Sequence, residues 1–375
     1  MDYNYNIILT ISIKKKLQNI IKKLGYSIWF SVYGKIQGII DPNEHSSIEV
    51  VNKTLDEKYF YKIFKMKNCR MYTDTVNDTA FILNNKIVDG ASFQFRNPKN
   101  SEVSNNIVFQ KGTPKLKKRL KGTVFSLLTG GGGNANYWHW LFDVLPRVKI
   151  LENEINLQNI DYFLLPDIKE RFQKETLDLL NIPLEKRISS KKFRHIECDM
   201  MIAVDHPYVI KNNPSIEIQN LPDWILQYLR SKFLNKNVIK NSPEKFYIDR
   251  KDAKSNHRHL RKILNEKEVK KFLIKKDFSI KALSDFSFLD QINIFYNSSQ
   301  IVGLHGAGFA NLIFCKANTL VVELKSSTAG PVIGNLAKKM NLNYREISIQ
   351  PPNHSSNNQQ GLITIPLNLL EKKLS

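Results

Sequence analysis

The stretch IVGLHGAGFANLIFCKANTLVVEL, residues 301–324, decides how the rest of the chain is read. Ile301 to Leu304 is an unbroken apolar run, the pattern of a strand buried on both faces. It enters a tight loop, His305-Gly306-Ala307-Gly308, whose glycines leave the backbone bare enough for a ligand to come close. A helix-like segment, Phe309 to Phe314, follows, and a second apolar strand, Leu320 to Val322, ends at Glu323. A strand, a Gly-rich turn and a helix start make an anion site, because the first N–H groups and the positive end of the helix dipole face outward. The carboxylate of Glu323 at the end of the next strand suits sugar hydroxyls, which are good donors. The stretch is therefore expected to form a nucleotide or sugar-phosphate pocket. Close strand–helix packing would also explain Gly303, Gly306 and Gly308, and G-x-x-G-x-G is not the dinucleotide spacing. His305 favours the ligand site, since a packing turn has no use for an imidazole between glycines.

With 375 residues the chain is long enough for two domains of ordinary size. A 42% hydrophobic and 24% charged composition marks a globular protein. Lys and Arg number 56 against 35 acids, a formal net charge of +21, which implies attraction to anions. Nucleotide diphosphates, phosphorylated lipids, membrane surfaces and nucleic acids all meet that description. Cys69, Cys198 and Cys315 are sparse and contain no C-x-x-C pair, which argues against a disulfide framework or structural zinc and fits a reducing, cytoplasmic compartment. The N-terminal segment lacks the order of a secretory signal, and no apolar run reaches the roughly 18 residues of a membrane span. Lys14 to Ile40 reads as an amphipathic helix followed by a strand, with a peripheral contact on the anionic inner face of a membrane as its second reading.

Up to about residue 120 the pattern is irregular, with strand-like runs at Ala80–Leu83 and Ile107–Phe109 and a basic loop at Lys111–Lys121. From Val124 onward strands alternate with helices, which implies parallel, doubly wound sheets. Pro207, Pro214 and Pro222 punctuate the middle, and Pro222-Asp223-Trp224 reads as a helix start. The expected division is residues 1–220, residues 221–355 and a C-terminal tail or helix at 356–375. Two Rossmann-like halves would place a ligand cleft at the carboxyl ends of their strands.

A second informative stretch is GGGGNANYWHWLFDVLPRV, residues 130–148. Asn134 or Asn136 can cap the helix that follows the glycines. His139 and Asp143 stand four apart and share a helical face, with Arg147 one turn further on. The pair can serve as a general base with its orienting carboxylate, as a helix-stabilising pair, or as two metal ligands lacking a third. A third stretch, KFYIDRKDAKSNHRHLRKILNEKEV at 245–269, delivers Arg250 from a strand end and carries Arg261 beyond a basic loop. Such arginines can clamp phosphate oxygens bidentately, whereas Lys251 and Lys254 read as solvated surface. No P-loop, G-x-S-x-G, H-E-x-x-H or Asp-x-Asp pattern occurs.

Taken in order, N-Y-W-H-W-L-F-D-V-L-P-R at Asn136–Arg147, Y-I-D-R at Tyr247–Arg250, R-K-I-L-N-E at Arg261–Glu266, Gln291, H-G-A-G-F-A-N-L-I-F at His305–Phe314 and V-V-E-L at Val321–Leu324 resemble glycosyltransferase family 61. The resemblance covers roughly residues 120 to 325, and an N-H-R-H stretch before Arg261 blurs the register of Arg258. It implies a GT-B architecture of two facing Rossmann-like domains with an inter-domain cleft. It implies inverting, metal-independent transfer of a sugar from a nucleotide-sugar donor, most simply UDP-linked, to a glycan or lipid-linked saccharide, in surface or capsular polysaccharide synthesis. No metal and no cofactor beyond the donor is expected. By the same resemblance the donor's diphosphate lies over Gly306, Ala307 and Gly308, with Arg250, Arg261 and His305 neutralising it. Its ribose hydroxyls meet Glu323, and Asn311 braces the loop. Asp143, or His139 if the carboxylate only orients it, takes the acceptor's proton, with Asn136 and Arg147 beside them on the acceptor side. Two other classes compete: a nicotinamide-dependent dehydrogenase, disfavoured by the glycine spacing, and a non-enzymatic binder of nucleic acid or anionic surfaces, suggested by charge alone.

Overall fold

The computed structural model describes residues 24–73, 78–95, 101–130, 135–234, 244–251, 261–351 and 361–375. The chain divides into two compact units, each α/β. The first comprises residues 1–132, 151–167 and 185–205; the second comprises 133–150, 168–184 and 206–375. Residues 24–33 are helical, and no helix among the described residues is long and apolar enough to cross a membrane.

The first unit is built on one ten-stranded mixed sheet. Its strands are β1 (Ile39–Ile40), β2 (Ile48–Asp56), β3 (Tyr59–Lys67), β4 (Arg70–Thr73), β5 (Thr79–Leu83), β6 (Lys86–Val88), β7 (Lys118–Ser126), β8 (Tyr162–Leu165), β9 (Arg187–Ser189) and β10 (His195–Val204). β10, β7, β8 and β9 run parallel, whereas β3 and β4 pair antiparallel with β10. The stretch that reads as irregular thus contains five strands in antiparallel pairings, β2 to β6, with short turns that use left-handed asparagines such as Asn68, Asn84 and Asn85. Two expectations are corrected here. Ile107–Phe109 is not a strand, because residues Val108–Lys111 form a helical turn closed by Gly112 in the left-handed region. The basic stretch Lys111–Lys121 is a loop only in its first part, since Lys118 onward pairs with β10.

The second unit contains a five-stranded, all-parallel sheet: β11 (Glu244–Asp249), β13 (Ser279–Ala282), β14 (Ser298–Leu304), β15 (Leu320–Ser326) and β16 (Asn343–Ile349). Between them in sequence falls β12 (Arg261–Ile263), which pairs in parallel with β17 (Gly361–Ile363). Val302, Leu304, Val322 and Leu324 are in the core, as continuous apolar runs in a doubly covered sheet should be. Glu323 is a correction, for it lies in the middle of β15 and the strand continues to Ser326. The helices agree with the sequence pattern. Phe288–Tyr296 starts with a Ser287–Asp290 capping box, and Val332–Lys339 is closed by left-handed Asn341.

The spatial order of this sheet is β13-β11-β14-β15-β16. The first strand in sequence therefore lies inside the sheet, and successive connections leave β11 and β14 in opposite directions. Between these two neighbours is the topological switch point, where the loops diverge and open a crevice beyond the strand ends. β11 ends beside Arg250 and β14 ends in the HGAG loop.

Candidate functional site

β14 delivers His305, whose backbone N–H donates to the Leu324 carbonyl at 2.8 Å and so continues the strand register one residue past its end. From Ala307 to Phe314 the chain turns as a 3-10 helix preceded by extended Gly306. Gly306, Ala307 and Gly308 stay partly open to solvent, while Phe309 to Phe314 are buried. The loop's glycines differ in role. A Cβ on Gly303 would stand 3.0 Å from the Phe309 ring and 3.1 Å from Ile248 Cβ, and one on Gly308 would stand 2.8 Å from Leu283. A Cβ on Gly306 would instead meet the Arg250 guanidinium at an ordinary 3.7 Å. Two glycines thus serve packing, and Gly306 keeps a space beside an arginine. At the other end of the 3-10 helix, Arg230 donates to the carbonyls of Ile313 and, at 3.2 Å, Cys315, complementing the negative end of the dipole.

Arg250 and Arg261 converge on the loop. Each donates from Nη1 to the His305 carbonyl, at 3.2 and 3.0 Å. Burial and then the nearby Arg250 charge lower the Arg261 pKa to about 10, against the pull of Glu323. Two cations held this close repel each other, and an anion at the loop relieves that repulsion. His305 itself is 3% exposed, and its Nδ1 is hydrogen-bonded to Glu323 Oε1. Glu323 is fully buried, and its other oxygen accepts from the Tyr344 hydroxyl. Both of its oxygens are therefore engaged by protein groups.

The second motif occupies the same compact unit. Asn136 caps the helix, its side-chain oxygen accepting from the Trp138 and His139 N–H groups. Asn134 and Gly131 to Gly133 lie outside the described residues, as do Lys254, His257, Arg258 and His259. At Trp140–Val144 the helix widens into a π turn, with the Leu145 N–H reaching back to the Trp140 carbonyl at 3.2 Å. Pro146 accounts for this. A proline ring clashes with the carbonyl four residues back, here that of Phe142, and a wider turn relieves the clash.

The π turn carries Asp143, which is fully buried. Its Oδ2 is 2.8 Å from His139 Nδ1 and 3.6 Å from His206 Nε2. Burial alone would raise the Asp143 pKa, yet the two histidines outweigh it and hold the carboxyl well below its usual range. For His139 burial works downward and the Asp143 charge works upward, with the carboxylate prevailing. For His206 burial prevails and lowers the pKa to about 4, so this imidazole is neutral. His139 is the member of the dyad that reaches solvent, with 17% of its side chain exposed against none for Asp143. Arg147 is buried and donates from Nε to the Asp143 backbone carbonyl at 3.1 Å. It thereby supports the turn.

A polar chain joins the two motifs. The Tyr137 hydroxyl donates to Asn311 Oδ1 at 2.5 Å, and Asn311 Nδ2 donates to Gln291 Oε1 at 3.0 Å. Gln291 donates onward to the Leu283 carbonyl at 2.9 Å. Lys251 pairs with Asp285 at 2.7 Å on the surface, as a solvated lysine would. Sequence reasoning missed His206 and Tyr344. His206 follows β10 in D-H-P-Y, Asp205–Tyr208, where a histidine beside a proline after a strand was the available signal. Tyr344 stands in an ordinary-looking strand and gave none. No group of three or more His, Cys, Asp or Glu among the described residues is placed to hold a metal ion.

A buried carboxylate–histidine dyad, a cationic pair and a Gly-rich turn at a switch point can together remove a proton and stabilise a leaving anion. That chemistry is group transfer, and the chain is a glycosyltransferase. It belongs to the Glycosyltransferase 61 family, whose model matches residues 137–322. The match begins at Tyr137 and ends at Val322, so it takes in His139, Asp143, Arg250, Arg261 and the HGAG loop, with Asn136 and Glu323 just outside its ends. A search of curated proteins found no match.

Proposed function

We propose that the chain is an inverting, metal-independent glycosyltransferase that takes a sugar from a nucleoside diphosphate, most simply UDP. The observation that carries this reading is the convergence of Arg250 and Arg261 on the His305 carbonyl, at the β11/β14 switch point. In this reading the diphosphate rests over Gly306 to Gly308. The arginines, His305 and the start of the 3-10 helix take up its charge, and Asn311 braces the loop from below. Preorganised donors of this kind stabilise the charge that develops on a leaving group. The complete burial of Glu323 supports a role in holding His305 in place of the ribose contact expected from the sequence.

His139 serves as the base, with Asp143 orienting it, because the histidine reaches solvent and the carboxylate does not. The acceptor oxygen attacks the anomeric carbon and loses its proton to His139. The bond from that carbon to the diphosphate oxygen breaks, its electron pair leaves with the nucleotide, and the anomeric configuration inverts. In this reading Asn136, at the exposed helix start, faces the acceptor. The GT-B-like architecture, the glycan or lipid-linked acceptor, and cytoplasmic action at a membrane in surface polysaccharide synthesis belong to this proposal and rest on the family resemblance.

The test is a panel of nucleotide sugars screened for hydrolysis or transfer by the purified chain. Turnover of one donor, lost in folded His139→Gln and Arg250→Ala variants, supports the reading. If no nucleotide sugar binds or turns over, it fails.

A further inference from the structure

Glu323 sits in β15 with each carboxylate oxygen engaged, one by His305 Nδ1 and the other by the Tyr344 hydroxyl. An ionised carboxylate can only accept, so His305 carries its proton on Nδ1 and Tyr344 points its single proton at Glu323. A second carboxylate competes for that proton, since Glu346 Oε2 lies 3.1 Å from the same hydroxyl. Glu346 is matched in turn by Lys325, whose ammonium is 3.2 Å from Oε2. Burial, and then the charges of Glu323 and Glu346, push the Tyr344 pKa upward, so the phenol stays neutral and remains a donor.

The ring is held in place as well. Gly334, in the helix Val332–Lys339, lets that helix approach so closely that a Cβ there would stand 2.9 Å from Tyr344 Cε1. The same ring lines an open groove of about 620 Å³ with Asn335, Lys338 and Glu346, while its hydroxyl also reaches the buried Glu323. A tyrosine serving only to fill the core would not need its hydroxyl between two carboxylates.

We infer that Tyr344 is a positioning residue for His305, acting through Glu323. By donating to one oxygen of Glu323 it fixes how the carboxylate is turned and shares its negative charge. It thereby sets how strongly Glu323 draws on the imidazole at the end of β14. Its consequence for catalysis rests on the proposed role of His305 beside the diphosphate, whereas the network itself does not.

The experiment uses the full chain without ligand, labelled with 15N-histidine, in wild-type, Tyr344→Phe and Glu323→Gln forms. The His305 ring N–H signal is assigned by its loss in His305→Gln. Removing the tyrosine hydroxyl takes away its hydrogen bond to Glu323, so the carboxylate draws more strongly on His305 and the proton signal moves downfield in Tyr344→Phe. Removing the charge in Glu323→Gln moves it upfield. Opposite displacements support the inference; an unmoved signal in Tyr344→Phe, or displacement of both variants the same way, overturns it. Should Tyr344→Phe not fold, Gly334→Ala crowds the ring from the other side and is expected to give the downfield displacement, and no displacement there overturns the inference. Titration of the wild-type chain with UDP tests the site reading separately. A chain that shows the opposite displacements but binds no UDP keeps the positioning role and loses the donor-site reading.

Discussion

Arg250 and Arg261 donate to one and the same acceptor, the backbone carbonyl of His305. They come from opposite ends of a sequence excursion, Arg250 just past β11 and Arg261 at the start of β12. Like charges gathered at one oxygen repel each other, and the proposed diphosphate lowers that repulsion.

Arg250→Ala and Arg261→Ala are each expected to weaken UDP binding by roughly ten- to a hundredfold, the worth of a charge-assisted hydrogen bond. Uridine binding should change little. Because the two share an acceptor, the double variant should lose less than the product of the single losses. Arg261→Lys should not restore binding, since a lysine cannot donate in a planar fork and releases its proton more readily in a half-buried, cationic place. Calorimetric titrations check all three statements.

The glycines of the loop are expected to separate in their effects. Gly303→Ala pushes a methyl against Phe309 and Ile248 and should destabilise the fold by about 1–3 kcal/mol. Gly306→Ala meets only ordinary contact with Arg250, so it should unfold like the wild type while weakening UDP binding. Chemical denaturation beside nucleotide titration distinguishes the two.

If His139 is the base, turnover requires its neutral form. Asp143 raises the His139 pKa above the ordinary 6.5, so the acid limb of the rate profile should have its midpoint above that value. Asp143→Asn removes the upward influence and leaves burial, which acts downward. The midpoint should therefore fall while the maximal rate also falls. A midpoint unchanged in Asp143→Asn would remove His139 from the base role.

The same dyad fixes a stability window. Asp143 has a lowered pKa, so its contribution is present above the unfolded carboxyl value of 3.8 and is lost as pH falls through the folded value. His139 has a raised pKa, so its contribution is full below 6.5 and is lost as pH rises through the folded value. Wild type should therefore exceed Asp143→Asn in melting temperature by more at pH 5.5 than at pH 9. A gap that widens toward pH 9 contradicts the pairing.

Much of this site could be read from the sequence because its parts are local. An apolar run before His305, the i, i+4 spacing of His139 and Asp143, and an arginine just past Tyr247-Ile248-Asp249 are each visible within a few residues. The π turn was not, since a proline at 146 announces a disturbed helix without saying that Asp143 will turn inward. Nor was Glu323 placed correctly. Its apolar run breaks at a charge, which imitates a strand end, but the charge is balanced inside the fold by His305 and Tyr344. Partners such as His206 and Tyr344 come from distant segments, where one-dimensional spacing carries no information. The antiparallel half of the first unit was obscured by short strands joined through left-handed asparagines, in a chain where asparagine is too common to stand out.

The central claim is that Arg250, Arg261 and the HGAG loop hold a nucleoside diphosphate. The most direct measurement is calorimetric titration of the wild-type chain with UDP, UMP and uridine at one salt concentration. The account predicts that UDP binds at least about tenfold tighter than UMP, with uridine weaker still, because the second phosphate brings further charge-assisted hydrogen bonds. Equal affinities for UDP and UMP, or no binding of any nucleoside diphosphate, would contradict it.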